Sequence, residues 1–165
     1  MHAVMTAPGP SVGILGLDHV RLAVDDLDRA VRFYRDVLGA ELVDRYDRND
    51  RNDPRATADR PTTAGRPGPA PRRAARATFR VGRGLTLQLV VAARRAPAGD
   101  ERPLWAFAIA PADVAVFRQR LTDAGVAHVG PVAGGPLGQA SIYLHDPAGN
   151  LLELTTTGYT GDVVV

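Results

Sequence analysis

The sequence has no cysteine and no lysine, and it has only two serines, Ser11 and Ser141. Without cysteine the chain cannot form a disulfide, a thiolate zinc site or a cysteine nucleophile. Without lysine it can form neither a Schiff base nor a phosphate-binding loop of the Walker A type. Neither serine has the surroundings of a nucleophile elbow, so covalent hydrolase chemistry is not indicated.

A large excess of charge of one sign is also missing. The chain has 20 basic and 18 acidic residues, a formal net charge of +2, and the acidic residues are spread evenly. This balance argues against a dedicated nucleic-acid surface. Residues 1–16 have no basic segment and no apolar run long enough for a signal or membrane helix. We therefore expect a cytoplasmic protein without nucleic-acid or membrane partners.

The first half of the sequence has the pattern strand, helix and three strands. A helical apolar spacing begins after Asp25 and Asp26, which suit a helix N-cap, and ends at Gly39, which suits a left-handed C-cap. Alternating apolar positions on either side predict strands. The predicted strands are residues 17–24, 41–46, 75–81 and 85–91.

The second half repeats this pattern. Residues 104–110 form the predicted first strand, Pro111 begins the helix and Gly125 ends it. Corresponding elements are 85 or 86 residues apart at the start of each half and 65 apart at its end. The remaining predicted strands are residues 127–132, 140–144 and 151–157.

We expect one domain over residues 15–165, preceded by a disordered tail at 1–14. The domain has two βαβββ modules, residues 15–93 and 103–158. The spacing differs because residues 47–73, rich in arginine, aspartate, proline and glycine, form a long loop in the first module only. Two interpretations of this loop stay open, a solvated insertion and a lid that folds over a ligand.

Aligning the modules places chemistry at equivalent positions. His19 and Leu104 correspond on the first strands, and Gln88 and Glu153 correspond on the last strands. The period of two adds further side chains to the same faces. A polar cluster inside an apolar cup is typical of a small-molecule site. The candidate ligand-binding residues are Arg21, Gln88, Leu104, Trp105, Ser141 and Tyr143.

Two stretches resemble a known superfamily. DHVRLAVDDLDRAVRFYRDVLGAELV, residues 18–43, resembles the opening of a vicinal-oxygen-chelate module of the glyoxalase, bleomycin-resistance and extradiol-dioxygenase type, and YLHDPAGNLLEL, residues 143–154, resembles its closing signature. The resemblance implies an α+β fold in which two βαβββ modules form a cupped mixed β-sheet. It also implies one divalent metal ion, Fe, Mn, Ni or Zn, bound by His19, Gln88 and Glu153.

One position departs from the family pattern. The first strand of the second module carries Leu104 where relatives have a second histidine, and a neutral amide such as Gln88 is a weak metal donor. A metal site and a metal-free site therefore both remain open. So do structural roles, in which His19 is a hydrogen-bonded core residue, Glu153 pairs with Arg21 and Tyr143 only packs its ring.

Two kinds of function fit these residues. The first is an enzyme of the lyase, isomerase, cyclase or oxygenase class, with Glu153 and His19 as metal ligands or as acid and base, and with Arg21 and Tyr143 stabilising negative charge. The second is a non-catalytic protein that sequesters a flat ligand on Trp105, similar to bleomycin-binding relatives. The resemblance also implies a homodimer, in which exchanged modules would draw His19 and Glu153 of one site from different chains.

Overall fold

The computed structural model describes residues 17–47, 74–82, 84–92, 103–134 and 138–164. The predicted tail and all of the predicted loop except Asp47 lie outside these ranges. The first module contains β1 (His19–Val24), α1 (Leu27–Arg32), β2 (Glu41–Tyr46), β3 (Arg76–Val81) and β4 (Leu85–Val91). The second contains β5 (Leu104–Ala108), α2 (Val114–Asp123), β6 (His128–Ala133), β7 (Ala140–His145) and β8 (Leu151–Thr156).

Each module forms its own mixed sheet of four strands. The strand orders are β1-β4-β3-β2 and β5-β8-β7-β6. In both sheets the first and last strands of the module pair in parallel, and the other neighbours are antiparallel. The predicted α+β fold of two βαβββ modules is confirmed. Within the described ranges no helix is long and apolar enough to cross a membrane.

Local sequence determines where α1 begins and where the helical segment that continues from it ends. The Asp26 side chain accepts a hydrogen bond of 2.9 Å from the Arg29 amide, which caps the helix. Gly39 adopts a φ of 71°, a conformation that a side chain disfavours. The last turn differs from the predicted α-helix, because Phe33–Val37 is π-helical. Phe33 and Tyr34, the first two residues of this turn, are both buried.

One hydrophobic core joins the two modules. The strands bury alternate residues, as β1 does with Val20, Leu22 and Val24. The same cluster contains buried residues of α1 and α2 together with Leu152 and Leu154 of β8. Each sheet therefore turns one face towards the helices and the common core. We call the opposite faces the first open face, on the first sheet, and the second open face, on the second sheet.

Polar contacts also connect the modules. The Tyr34 hydroxyl donates a hydrogen bond of 2.9 Å to Asp146, and both residues are buried. The Asn150 amide donates to Asp146 at 2.7 Å and to the Ala23 carbonyl at 3.1 Å. Burial, together with the nearby Asp146 carboxylate, raises the pKa of Tyr34 well above its ordinary value. The turn between β7 and β8 is therefore fixed to both the π-helical turn Phe33–Val37 and β1.

Candidate functional site

The first open face is polar, and strand pairing arranges its side chains in rows across the sheet. Each row takes one residue from β1, β4, β3 and β2. The middle row contains a charged or hydrogen-bonding side chain on every strand. The rows are His19, Thr86, Arg80 and Glu41; Arg21, Gln88, Thr78 and Asp44; and Ala23, Val90, Arg76 and Tyr46.

A forked hydrogen bond defines the centre of the first open face. Arg21 donates from Nε at 3.3 Å and from Nη2 at 3.1 Å to the same oxygen, Oε1 of Gln88. The parallel register of β1 and β4 places the two residues opposite each other. Both donors of the fork converge on one amide oxygen, so the position of the Arg21 guanidinium is tied to that of Gln88.

His19 lies at the edge of the same face. Its Nδ1 is 2.8 Å from Oδ2 of Asp18, and its side chain is 40% exposed. This exposure excludes the role of a buried core histidine. The Asp18 contact fixes one ring nitrogen and leaves Nε2 without a hydrogen bond to the described residues.

The second open face has a different centre. Its middle row contains Ala106, Glu153, Tyr143 and Val129. Glu153 is only 7% exposed. Its Oε1 accepts hydrogen bonds from the Ser141 hydroxyl at 2.6 Å and the Tyr143 hydroxyl at 3.3 Å. The structure thus brings together Ser141, Tyr143 and Glu153, all three of which the sequence suggested.

The sequence-predicted residues form two groups in one chain. Arg21 and Gln88 meet on the first open face, whereas Glu153, Ser141 and Tyr143 meet on the second. The ion pair considered between Glu153 and Arg21 is absent from the described structure, in which Arg21 donates to Gln88 on the first sheet and Glu153 lies on the second. Among the described residues no hydrogen bond or ion pair joins the two groups.

Two candidate residues of β5 lie on opposite faces. Leu104 is 44% exposed and pairs with Leu151 on the second open face. Trp105 pairs with buried Leu152 and packs against the core. Consecutive residues of a strand point to opposite faces, so Trp105 lies away from Glu153. Its predicted stacking on a ligand in the cup therefore has no support from this arrangement.

Sequence reasoning missed Arg76 and Thr78 of β3. Both line the same depression on the first open face as Arg21 and Gln88. The alternation within residues 75–81 carried the signal, because Ala77 and Phe79 are the buried residues of that strand. The role of Asp146 as the partner of Tyr34 left no comparable signal in the sequence.

The donor set does not fit a divalent metal ion. Within one chain, the described residues contain no group of three or more His, Cys, Asp or Glu side chains able to hold one. Gln88 presents its amide oxygen to the Arg21 guanidinium, and that positive charge opposes a second cation. Leu104 offers no donor at the position equivalent to His19. We therefore derive no chemical step through a metal.

The family is established by the sequence as a whole. Residues 16–154 match the family model described as the Glyoxalase/Bleomycin resistance protein/Dioxygenase superfamily. The chain belongs to this superfamily, as its opening and closing stretches indicated. No curated protein matches the sequence.

Solved structures agree with this fold. A fosfomycin resistance protein from Listeria monocytogenes, FosX, solved as a mutant with Mn(II) and 1S,2S-dihydroxypropylphosphonic acid, is 20% identical with a TM-score of 0.60, over 88% of this chain and 94% of that one. A lactoylglutathione lyase from Agrobacterium tumefaciens is 23% identical with a TM-score of 0.56, over 87% and 94%. A putative glyoxalase family protein from Bacillus anthracis is 21% identical with a TM-score of 0.61, over 90% and 99%. At these identities the likeness concerns the fold alone.

Proposed function

We propose that this protein is a metal-independent enzyme of the isomerase or lyase class, in which Glu153 moves a proton of a small organic substrate. The observation that carries the proposal is the burial of Glu153 without a cationic partner among the described residues. Removing a carboxylate from water costs several kcal/mol unless a compensating charge is present. A purely structural role would favour a neutral side chain there.

The neighbours of Glu153 suit a proton-transfer group. Ser141 and Tyr143 both donate to Oε1, and no hydrogen bond from a described residue reaches Oε2. One oxygen is thereby held in place while the other is available to a substrate. A positioned carboxylate in a site with little water is an effective general base.

A second copy of the chain completes the site in this proposal. The two open faces lie on the sides of their sheets away from the common core, and their side chains form separate groups. A homodimer that sets the first open face of one copy against the second open face of another would bring Arg21 towards Glu153 of the partner subunit. The cup would then combine a cation and a base around one ligand.

The proposed step is a proton abstraction next to a carbonyl group. Glu153 takes the proton from carbon, the bonding electrons form an enolate, and the Arg21 guanidinium stabilises the charge on oxygen. Where a carbon–carbon double bond is conjugated with the enolate, return of the same proton from Glu153 to the far carbon of that double bond gives an isomerase. Departure of a group from the neighbouring carbon gives a lyase. Either reaction balances without an oxidant or a metal.

A sequestering function is the second candidate, and the composition of β5 favours it. Leu104, Ala106 and Ala108 are all exposed on the second open face beside Glu153. This apolar strip could hold the body of a ligand without any reaction. We place either function in the cytoplasm.

Proton exchange separates the two functions. We would incubate the protein in D₂O with a panel of small 2-keto acids and 1,3-dicarbonyl compounds and follow deuterium incorporation by proton NMR. The enzyme proposal expects exchange that is lost in Glu153→Gln and kept in Glu41→Gln, an exposed carboxylate of the first sheet. Binding of panel members without exchange would establish sequestration, and exchange that survives Glu153→Gln would overturn the role of Glu153.

Metal content and assembly are tested on the same material. Elemental mass spectrometry on untagged protein purified without chelator should find far less than one equivalent of any transition metal. One equivalent that is lost in both His19→Ala and Glu153→Ala would overturn metal independence. Sedimentation velocity at micromolar concentration should give a dimer, and a monomer would reject the shared cup.

A further inference from the structure

We propose that the depression on the first open face binds the carboxylate group of a small organic acid through Arg21 and Arg76, with Gln88 as a positioning residue for Arg21. This inference rests on the proposed function, because it names the substrate class for the same cup. It concerns ground-state binding, however, and it can be tested without any turnover.

Two guanidinium groups lie in one depression of the first open face. Arg21 and Arg76 both line a space of about 450 Å³, together with Thr78, Gln88, Val90, Ala74 and Asp44. Neither arginine forms an ion pair with a carboxylate in the described part of the chain. Arg80, in contrast, lies on the same sheet and pairs with Glu41 at 2.9 Å. Among its described lining residues the depression thus has two guanidinium groups and one carboxylate, that of Asp44, whereas Arg80 and Glu41 in the neighbouring row pair with each other.

Each guanidinium is held by a neutral group. The Arg21 fork rests on Gln88 Oε1, and Arg76 lies 5.6 Å from the centroid of the Tyr46 ring. An amide oxygen and an aromatic ring orient a cation without removing its charge. The Nη1 group of Arg21 has no hydrogen bond to the described residues. A planar carboxylate is the natural acceptor for an oriented guanidinium.

The surrounding side chains indicate the kind of group that is attached to the carboxylate. Val90 lines the depression, and it shares a row with Ala23 and Arg76. These apolar positions lie next to the cationic ones, so the acid needs an apolar body, such as an aromatic ring or a short aliphatic chain. When that carboxylate is conjugated with the reacting carbon, Arg21 also stabilises the charge that develops during proton abstraction.

Benzoate and benzamide form a suitable pair of probes, since they share a ring and differ in the carboxylate charge. We would titrate each into the full-length protein and follow the arginine Nε–H resonances by ¹H–¹⁵N NMR. Benzoate should shift the Arg21 and Arg76 signals and bind at least about tenfold more tightly than benzamide. Equal affinities, or benzoate shifts confined to other arginines, would overturn the proposal.

Matched variants separate the site from general electrostatics. Arg21→Gln and Arg76→Gln should each weaken benzoate binding by at least about fivefold. Arg80→Gln removes the same charge from the same sheet and should change the affinity less than about twofold. An equal loss in all three variants would show a diffuse charge effect and reject the site. Circular dichroism checks that each variant is folded.

Gln88 is tested by two substitutions of different chemistry. Gln88→Leu removes the acceptor that orients Arg21 and should weaken benzoate about threefold while leaving benzamide unchanged. Gln88→Glu keeps the acceptor but pairs its charge with Arg21, so benzoate affinity should fall further than in Gln88→Leu. Equal effects on benzoate and benzamide would show that Gln88 only supports the fold.

Loss of proton exchange in Glu153→Gln with benzoate binding intact would support both proposals. Benzoate binding by a protein that shows no proton exchange at all would overturn the catalytic proposal and leave the carboxylate site standing.

Discussion

The two open faces of this protein belong to sheets of the same topology, but the charges at their centres have opposite signs. The first presents exposed cations, with Arg21 held by the neutral amide of Gln88. The second buries an anion, Glu153, beneath the hydroxyls of Ser141 and Tyr143. The equivalent strand positions of Gln88 and Glu153 show how one scaffold supports both. A repeated fold therefore fixes where side chains lie, and the residue at each position decides whether it attracts an anion or moves a proton.

The largest expected effect is on the free energy of unfolding. It tests whether the two modules, whose open faces differ, are stabilised by one common core. Phe79→Ala in the first module and Leu152→Ala in the second should each lower the free energy of unfolding by about 3 kcal/mol, since each side chain is fully buried. Urea denaturation followed by the fluorescence of Trp105 measures both. Because the core is shared, Phe79→Ala should lower the midpoint reported by Trp105 in the other module.

The exposed residue Val43 provides the control for this comparison. Val43→Ala should change the free energy of unfolding by less than about 0.5 kcal/mol. A Trp105 midpoint that Phe79→Ala leaves unchanged would mean that the modules unfold separately.

An intermediate effect is expected at the contact between the modules. Tyr34→Phe removes the buried hydrogen bond to Asp146 and should cost about 2 kcal/mol at pH 8. The folded protein raises the pKa of Tyr34, so above pH 10 the unfolded chain loses a proton that the folded chain retains. The stability conferred by this proton is present below pH 10 and declines as the pH rises further.

Chemical denaturation at pH 8 and at about pH 10.5 measures this dependence. The difference between wild type and Tyr34→Phe should shrink at the higher pH. Tyr46→Phe, at a half-buried tyrosine of the first sheet, should cost less than about 0.5 kcal/mol at pH 8. A difference that grows with pH would show that the hydroxyl does not act as the donor to Asp146.

The smallest expected effect is the change in stability when the central residue of each open face is replaced by glutamine. Glu153→Gln keeps the shape of the side chain and removes a buried charge, so it should leave stability unchanged or raise it by about 1 kcal/mol. Arg21→Gln alters an exposed residue and should stay within about 0.5 kcal/mol. Thermal unfolding of both variants measures these changes. A loss above about 2 kcal/mol in Glu153→Gln would mark the carboxylate as structural.

Much of the fold follows from local patterns in the sequence. The strands β2 and β4 have the predicted bounds, because alternating burial and flanking turn residues define them. Gly39 and Gly125 end the helical segments in the expected left-handed conformation, with φ of 71° and 64°. The π-helical turn at Phe33–Val37 was not predicted, because the apolar spacing over this stretch fits an ordinary α-helix.

The candidate site was predictable in its residues and less so in its pairings. The period of two placed Ser141, Tyr143 and Glu153 on one face of adjacent strands, where they do make contact. The partner of Arg21 could not be read the same way, because alternation along a strand does not tell which strands pair, and Arg21 meets Gln88 through the parallel pairing of β1 and β4. For Trp105 the alternation was informative, because consecutive residues of a strand point to opposite faces. It already separates Trp105 from Leu104, so the two could not both face the ligand.

The contacts of the turn between β7 and β8 also determine when the first module can finish folding during synthesis. Tyr34 and Asp146 are 112 positions apart, and Ala23 and Asn150 are 127 apart. During synthesis the hydroxyl and the carbonyl leave the ribosome long before their partners do. The first module therefore cannot reach its final state until most of the chain has been translated, and nascent chains that stop before residue 146 keep part of the common core exposed to water.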